Sequence, residues 1–298
     1  MDVFGLTNKP QFNWVFHSNG TTNSWQTWQK PPNCKFVYFF LLGGGAGGNR
    51  GVSGVGVNRQ GGAGGGASSI TRGLFPAMVL PDILYIQVGL GGAGGVAGNA
   101  GAGSLSYVCI EPITSNIADV LLISGTVAAA AGTPIATAGA AGTVFTQTSA
   151  LPNYLGLVTL SVGAVGSNGG SYGAGSSNTP TTIVTGGAGG AGSTSVNVNS
   201  NGGSIFASTV TQQINGGLAG AGVTADNGIF TQLPSIDTSS TILPMAFTGG
   251  AGGGSNGNGN GGNGGNGSYG CGGGGGGAGT TAGTGGRGGD GLVIITAW

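Results

Sequence analysis

The residues best placed to do chemistry stand directly after the strongest apolar run. Phe36–Leu42, FVYFFLL, leads into Gly43, Gly45 and Gly48 in G-x-G-x-x-G spacing. A strand, a glycine turn and a helix in that order cradle the pyrophosphate of a dinucleotide. The chemistry also needs a helix opening at the last glycine and an acid about 20 residues on for the ribose. Residues 49–60, NRGVSGVGVNRQ, continue without a helical pattern, and no Asp or Glu lies between Asp2 and Asp82. The spacing recurs at Gly62, Gly64 and Ala67, as it must in a chain this rich in glycine. Dinucleotide binding fails on these counts, and with no Gly-Lys-Ser/Thr a P-loop fails too.

Other chemistry is equally thin. His17 is the single histidine, so a Ser-His-Asp relay would have to run through it. Beside Phe16 and near Trp14 in a predicted strand, it reads as a packed or surface histidine. Glu111 and Asp119 are the closest acids of 81–298, and nothing pairs them for glycoside hydrolysis. Asp290, between Gly289 and Gly291, is expected to cap a turn before the last strand. Cys34, Cys109 and Cys271 are odd in number, without paired spacing, and read as buried thiols. No metal-ligand cluster is visible. The expectation is a protein that is not an enzyme, with no catalytic residues, no cofactor-binding residues, no metal and no cofactor. Receptor-binding residues are not assigned.

The aromatic residues are better candidates. Trp14, Trp25, Trp28 and Trp298 stand near the two ends of the chain and either close a hydrophobic mini-core or face outward. Tyr154, Phe206, Phe230, Met245 and Phe247 lie between glycine tracts, where exposed side chains would mark a contact surface.

Composition narrows the function classes. The chain of 298 residues holds 73 glycines, and charged residues make up 5%. Basic and acidic residues cancel, seven against seven, which excludes nucleic-acid binding by phosphate neutralisation. Residues 1–80 carry a net +5 and residues 81–298 a net −5. This is either chance among few charges or an attraction, between the two parts or to an acidic neighbour. The opening MDVFGLTNKP has no basic region followed by an apolar core, so no secretory signal is expected. The longest apolar run, Phe36–Leu42, is far short of the ~20 residues that cross a bilayer, so no membrane insertion is expected.

Glycine this abundant is either flexible linker or ordered structure. Strand-forming segments favour order: Asn13–His17, Phe36–Leu42, Ile83–Val88, Val120–Ile123, Leu155–Val162 and Leu292–Thr296. Glycine also recurs every third residue. From Gly261 to Gly291 only Ala282 interrupts the series, and the same period holds at Gly45, Gly48, Gly51 and Gly54, and from Gly89 to Gly101. Three residues per turn is the repeat of polyproline II, whose N–H and C=O groups point sideways and need partners on neighbours. With 11 prolines and interrupted tracts, collagen is disfavoured.

Roughly ten glycine tracts, spaced along 43–56, 61–66, 89–103, 125–142, 163–175, 186–192, 201–203, 216–222, 249–267 and 270–291, alternate with Thr, Ser and Asn loops. The expected fold is mainly β with polyproline II. Terminal β-strands, jelly-roll or sandwich-like, close a bundle of short glycine-rich polyproline II helices, with almost no α-helix.

Three segments carry a family resemblance. F-H-S-N-G from Phe16 leads through W-Q-T-W-Q-K-P-P to F-V-Y-F-F-L-L-G-G-G-A-G-G; L-Y-I-Q-V-G-L-G-G-A-G-G starts at Leu84; G-G-R-G-G-D-G-L-V-I-I-T-A-W closes the chain. In this order, spanning 16–298, they resemble the glycine-rich domains of phage tail-fibre and virion fibre proteins. The chain departs from typical fibres in lacking a coiled-coil or β-helical shaft, and its insertions 107–124 and 226–247 are long. The resemblance implies a virion protein made in the host cytoplasm: a fibre or tail-fibre adhesin-like component, with bundled polyproline II helices and tip loops that meet a host surface receptor. Its partners would be other virion proteins, as a homo-oligomer or docked on a fibre or capsid. A capsid decoration protein without a receptor role is the alternative, and an ice-binding protein a remote one. One domain is expected over 1–298. It comprises a docking segment 1–15, N-terminal strands with the first tracts over 16–124, loops between tracts over 125–248, and the glycine repeat with the closing strand over 249–298.

Overall fold

The computed structural model describes residues 12–21, 24–97, 99–113, 119–125, 156–178, 183–206, 214–223, 227, 230–232 and 245–298. Most of the expected docking segment, nearly all of the tract at 125–142, and Tyr154 lie outside them. Among the described residues the chain is mainly β, and its one helical element is a 3-10 turn at Ala77–Val79. Thirteen strands form: β1 Phe12–His17, β2 Trp25–Gln29, β3 Phe36–Leu42, β4 Ile70–Pro76, β5 Ile83–Gln87, β6 Tyr107–Cys109, β7 Val120–Ile123, β8 Leu157–Ser161, β9 Phe230–Gln232, β10 Met245–Phe247, β11 Asn256–Asn260, β12 Gly279–Thr281 and β13 Leu292–Ala297.

Two antiparallel sheets hold most of them, ordered β1-β13-β3-β4-β8 and β2-β5-β6-β7. Side chains alternate along a strand, so β3 sends Val37, Phe39 and Leu41 to one face and Tyr38, Phe40 and Leu42 to the other. The first face meets Trp28, Leu84, Ile86, Val108 and Leu122 of the four-stranded sheet in one hydrophobic cluster. The second meets Ile70, Val184, Phe247 and Cys271. A strand covered on both faces reads as an unbroken apolar run, as FVYFFLL does. Each large side chain so buried stabilises by about 1.5–3 kcal/mol. Trp28 is central: Trp14 and Phe39 meet its ring edge-on at centroid distances of 5.6 and 6.3 Å.

The sheets do not end where the strands end. In the β3–β13 pair Leu42 faces Leu292. The same register then continues through glycine, as Gly45, Gly48 and Gly51 donate N–H bonds to the carbonyls of Gly289, Gly286 and Gly283. The β3–β4 register, with Leu42 facing Ile70, continues as Ala46, Asn49 and Val52 donating to Gly66, Ala63 and Gln60. The β4–β8 register, with Ile70 facing Ser161, continues as Ala67, Gly64 and Gly61 donating to Ala164, Ser167 and Gly170. What changes is the period. A strand returns to a given neighbour every second residue, whereas these tracts return every third.

The remaining directions are filled by other tracts. Residues 270–279 donate in rotation to three of them. Gly273 and Gly276 reach Ala46 and Asn49; Gly274 and Gly277 reach Gly265 and Gly262; Gly275 and Ala278 reach Ala188 and Ala191. The same segment accepts from Gly62 and Gly65, from Gly250 and Gly253, and from Gly283 and Gly286. With backbone on every side, a Cβ on Gly274, Gly275 or Gly276 would overlap the carbonyl of Ala251, Gly62 or Gly283. That is why 272–277 is an unbroken run of glycine.

Where period two gives way to period three the backbone groups fall out of step, and buried hydroxyls bridge them. Ser106 Oγ donates to the Leu42 carbonyl (2.6 Å) and accepts from the Gly89 N–H (2.9 Å). Ser124 Oγ accepts from the Ser106 N–H, and Ser69 Oγ from the Gly125 N–H. Their burial shows that the hydroxyls serve the backbone and not solvent.

The six strands expected from sequence all form, with ends shifted by no more than two residues. β4 was not expected, because Gly73 and Pro76 interrupt ITRGLFP. Gly73 sits opposite Phe39, and a Cβ there would come 2.7 Å from the Phe75 ring and 2.9 Å from Leu122, so glycine lets the core close. Asp290 is a correction. It does not cap a turn but lies within a tract, where its Oδ1 accepts from the Gly91 N–H (2.8 Å) of a neighbouring tract and pairs with Arg287.

Two glycine-to-alanine changes separate this packing from ordinary glycine flexibility. Gly275→Ala is expected to cost at least ~1–3 kcal/mol, because the methyl has only backbone to displace. Gly173→Ala, with open space where the methyl would stand, is expected to be neutral or to stabilise by up to about 1 kcal/mol. Melting midpoints of the two variants check this, and equal midpoints would refute the packing argument.

Candidate functional site

Of the glycines in dinucleotide spacing, Gly45 and Gly48 have no free donor to offer a phosphate. The N–H groups of Gly44, Gly45, Ala46, Gly47, Gly48 and Asn49 all bond to backbone carbonyls, at 2.8 to 3.0 Å. A Cβ on Gly45 or Gly48 would overlap the carbonyl of Cys271 or Gly274. Their lack of a side chain serves backbone packing.

The other sequence candidates are scattered. His17 is exposed on the edge strand β1, its ring 5.6 Å from that of Tyr269. Glu111 and Asp119 flank the β6–β7 connection, where the Asp119 carbonyl takes the Ile110 N–H. Cys109 and Cys271 are buried, while Cys34 is half-buried. Burial pushes the Cys109 thiol up from 9.0 to about 12, helped by the nearby Asp119. Burial does the same to Cys271, opposed by hydrogen bonds from the Thr185 N–H and Ser268. Phe206 is exposed, but Phe247 is fully buried under the second face of β3, so it offers no contact surface. The side chains of Phe230 and Met245 lie outside the described residues. Of the tryptophans, Trp28 is in the core, whereas Trp14, Trp25 and Trp298 are half-buried around it or at the sheet edges. The opposed charges of the two parts meet in one ion pair among the described residues, Lys30 with Asp82 at 3.1 Å. Asp82 is so exposed that the pair contributes little.

Two places are shaped for contact. The first is a cleft of about 550 Å³ at the end of the sandwich away from the tracts, lined by Lys30, Asn33, Cys34, Ala77, Met78 and Asp82 among others. Lys30 Nζ is already engaged there by the carbonyls of Leu80 (2.7 Å) and Ala77 (3.2 Å), besides Asp82.

The second is the far tip of the tracts, and it is built around Arg59. This side chain is fully buried. Its Nη1 donates to the carbonyls of Gly54 (2.7 Å) and Gly257 (3.1 Å), and its Nη2 to Asn197 Oδ1 (2.7 Å). The three acceptors belong to three different chain segments. The Arg59 backbone pairs both ways with Ser193 at 2.8 Å, which fixes the residue to the end of a second tract. Asn58 Oδ1 takes the Ser195 N–H (2.7 Å), and Asn197 Nδ2 donates to Asn258 Oδ1 (2.8 Å). Arg59 has no carboxylate partner among the described residues. A buried cation held by neutral oxygens alone bears a desolvation cost, which the three bonds from Nη1 and Nη2 offset in part while Nε is left without a partner. Around it the loops expose Val55 (77%), Val57, Val196 (79%) and Val198 with Asn and Ser between. Nothing in the sequence singles out Arg59 beyond its being a rare cation just before a glycine tract.

Residues 20–116 match the family model of a glycine-rich domain. The match runs from just before β2 to just beyond β6 and covers less than half of the chain. What it supports is a glycine-rich domain, over a shorter stretch than the three sequence anchors span. No curated protein matches the chain.

Two outcomes are expected. Arg59→Met leaves two carbonyls and one amide oxygen without a donor, at about 1–3 kcal/mol for stranded acceptors. Hydrogen exchange should then rise in 53–58, 194–199 and 255–260 while β3 and β13 stay protected; exchange unchanged at the tip would refute the clamp. The raised thiols give a pH dependence. Unfolded thiols ionise near 9 and the folded pair near 12, so the folded state binds more protons in that window. Their stabilisation is therefore full below pH 9 and lost progressively towards 12. Denaturant midpoints across that range should fall, and less steeply in Cys271→Ala.

Proposed function

We propose that the chain is a non-enzymatic structural protein of a virus particle, a glycine-rich fibre or tail-fibre component that presents the Arg59 tip to a host surface. In this reading the tracts are polyproline II helices, bundled behind a sandwich of the two larger sheets. The observation that carries it is the three-residue rotation of hydrogen-bond partners in 270–279, the period of a polyproline II helix. Such a bundle is a stiff rod without α-helices or a coiled-coil shaft, and its end loops carry side chains that the tracts exclude. Val55, Val57, Val196 and Val198 then form an exposed apolar patch on a rigid base, the kind of surface that marks a contact site. The three anchor segments, spanning 16–298, supply the link to phage fibres. The partners are other virion proteins and a surface receptor.

Antibody fragments raised against the tip loops test the location. Label at tail or fibre ends of purified particles supports the reading, and label spread over the head replaces it with a capsid decoration role. Circular dichroism tests the bundle independently: a polyproline-type spectrum with little helix is expected, and a strong helical spectrum would refute it.

A further inference from the structure

We propose that Asn258 is a self-modification site, where the Gly259 backbone nitrogen displaces the side-chain amide and leaves an acid beside the buried Arg59. Residues 256–261 read N-G-N-G-N-G, with two more Asn-Gly steps at 263 and 266. Asn-Gly is the step most open to this cyclisation, because glycine places no side chain over the attacking nitrogen and bends freely. Most of these nitrogens are tied. The Gly257 N–H donates to Asn199 Oδ1 (2.5 Å), Gly261 to the Thr281 carbonyl (2.9 Å), Gly264 to Thr284 (2.9 Å) and Gly267 to Arg287 (2.8 Å). Asn258 and Gly259 lie where the β11–β12 register shifts, between the paired residues Asn256 and Asn260. Asn258 is also exposed.

The electrophile is activated from behind. Asn258 Oδ1 accepts from Asn197 Nδ2 at 2.8 Å, and Asn197 Oδ1 accepts from Arg59 Nη2 at 2.7 Å. A full buried charge thus acts through one amide on the oxygen that turns negative as the ring closes, as an oxyanion-hole donor does. Asn197 has φ 62, the left-handed region that asparagine enters more readily than most residues, in a turn closed by its N–H bond to the Thr194 carbonyl.

The step balances with water alone. The Gly259 nitrogen loses its proton to water and bonds to Cγ; the Cγ–Nδ2 bond breaks and the nitrogen leaves as ammonia. Water then opens the five-membered imide to aspartate or isoaspartate. The aspartate keeps an oxygen on Asn197 Nδ2, so a carboxylate stands one bridging amide from a cation that has no acid partner among the described residues. Such a charge offsets part of the cost of burying Arg59.

The full chain, incubated at mildly alkaline pH and mapped by peptide mass spectrometry, tests this. Asn258 should convert roughly tenfold faster than Asn263 and Asn266, a barrier difference of about 1.4 kcal/mol. In urea the three should convert at similar rates. Asn197→Asp keeps a partner for Arg59 but replaces the donor with a negative charge, and should bring Asn258 to the rate of Asn263. Asn197→Gly, relaxed at positive φ, should do the same. The proposal is overturned if Asn258 stays intact while Asn263 converts, or if either variant, folded by circular dichroism, converts Asn258 at the original rate.

Discussion

A backbone surrounded by other backbones must place an N–H or a C=O towards each neighbour and keep every Cβ out of the way. In 270–279 the rotation of donors and of acceptors through the surrounding segments meets the first demand. Glycine meets the second. The rule then sorts the residues that are not glycine. Ala46, Ala63, Ala188, Ala191 and Ala251 are fully buried where one direction has room for a methyl. Asn263, Asn266 and Arg287 stand where a tract faces outward. There the two asparagines supply the acceptor that a further tract would have provided, to the N–H groups of Thr284 and Arg287. The G-G-x triplet is thus a record of which sides of a tract are covered.

Hydrogen bonds of this kind contribute only about 0.5–1.5 kcal/mol each net of water, and fixing glycine is costly. Beyond buried alanines and the small cluster of Ala188, Ile205, Ile214 and Ala251, the tracts bury little apolar side-chain area of their own. The sandwich supplies it, and the continuity of register explains how. Because β3, β4, β8 and β13 pass into tracts without a slip in pairing, the hydrophobic clusters around Phe39 and Phe40 fix the phase of the glycine ladder. A one-residue slip in the sheet would turn Val37, Phe39 and Leu41 away from Trp28. The same slip would misalign every glycine bond beyond Leu42. The core specifies the register and the tracts propagate it.

This division explains what was legible in the sequence. A period of two in FVYFFLL and LVIITA and a period of three in the glycine runs are local patterns, so the strands and the tracts could be read from the residues. Which tract pairs with which could not, since Gly45 and Gly289 are joined only through the distant β3–β13 register. β4 was hidden because Gly73 and Pro76 look like breakers until Phe75 and Leu122 are placed over the glycine. Phe247 looked like a loop aromatic because MAF is short, yet it seats under β3 with Val184 and Cys271. Asp290 resembled a turn residue because its role depends on Gly91, far off in sequence. Arg59 was illegible for the same reason: its acceptors at 54, 197 and 257 converge only when their tracts lie side by side.

The tip is where the constraint relaxes, and that gives it its chemical freedom. Inside the tracts almost any side chain meets a carbonyl, so sequence change there is closed off. Past Gly54, Ser193 and Ser255 the three-residue glycine period lapses, and Val, Asn, Ser and Thr appear among the remaining glycines. Freedom of sequence alone would leave these segments loosely held, since no apolar core lies beneath them. Arg59 answers that with several donors in a rigid fork, which reach three segments at once from one buried position. A lysine could not span them in the same geometry, and a carboxylate partner would satisfy the charge while leaving the loop carbonyls unbonded. The cation is directed at the loop oxygens, and the loops it holds can vary without disturbing the register beneath.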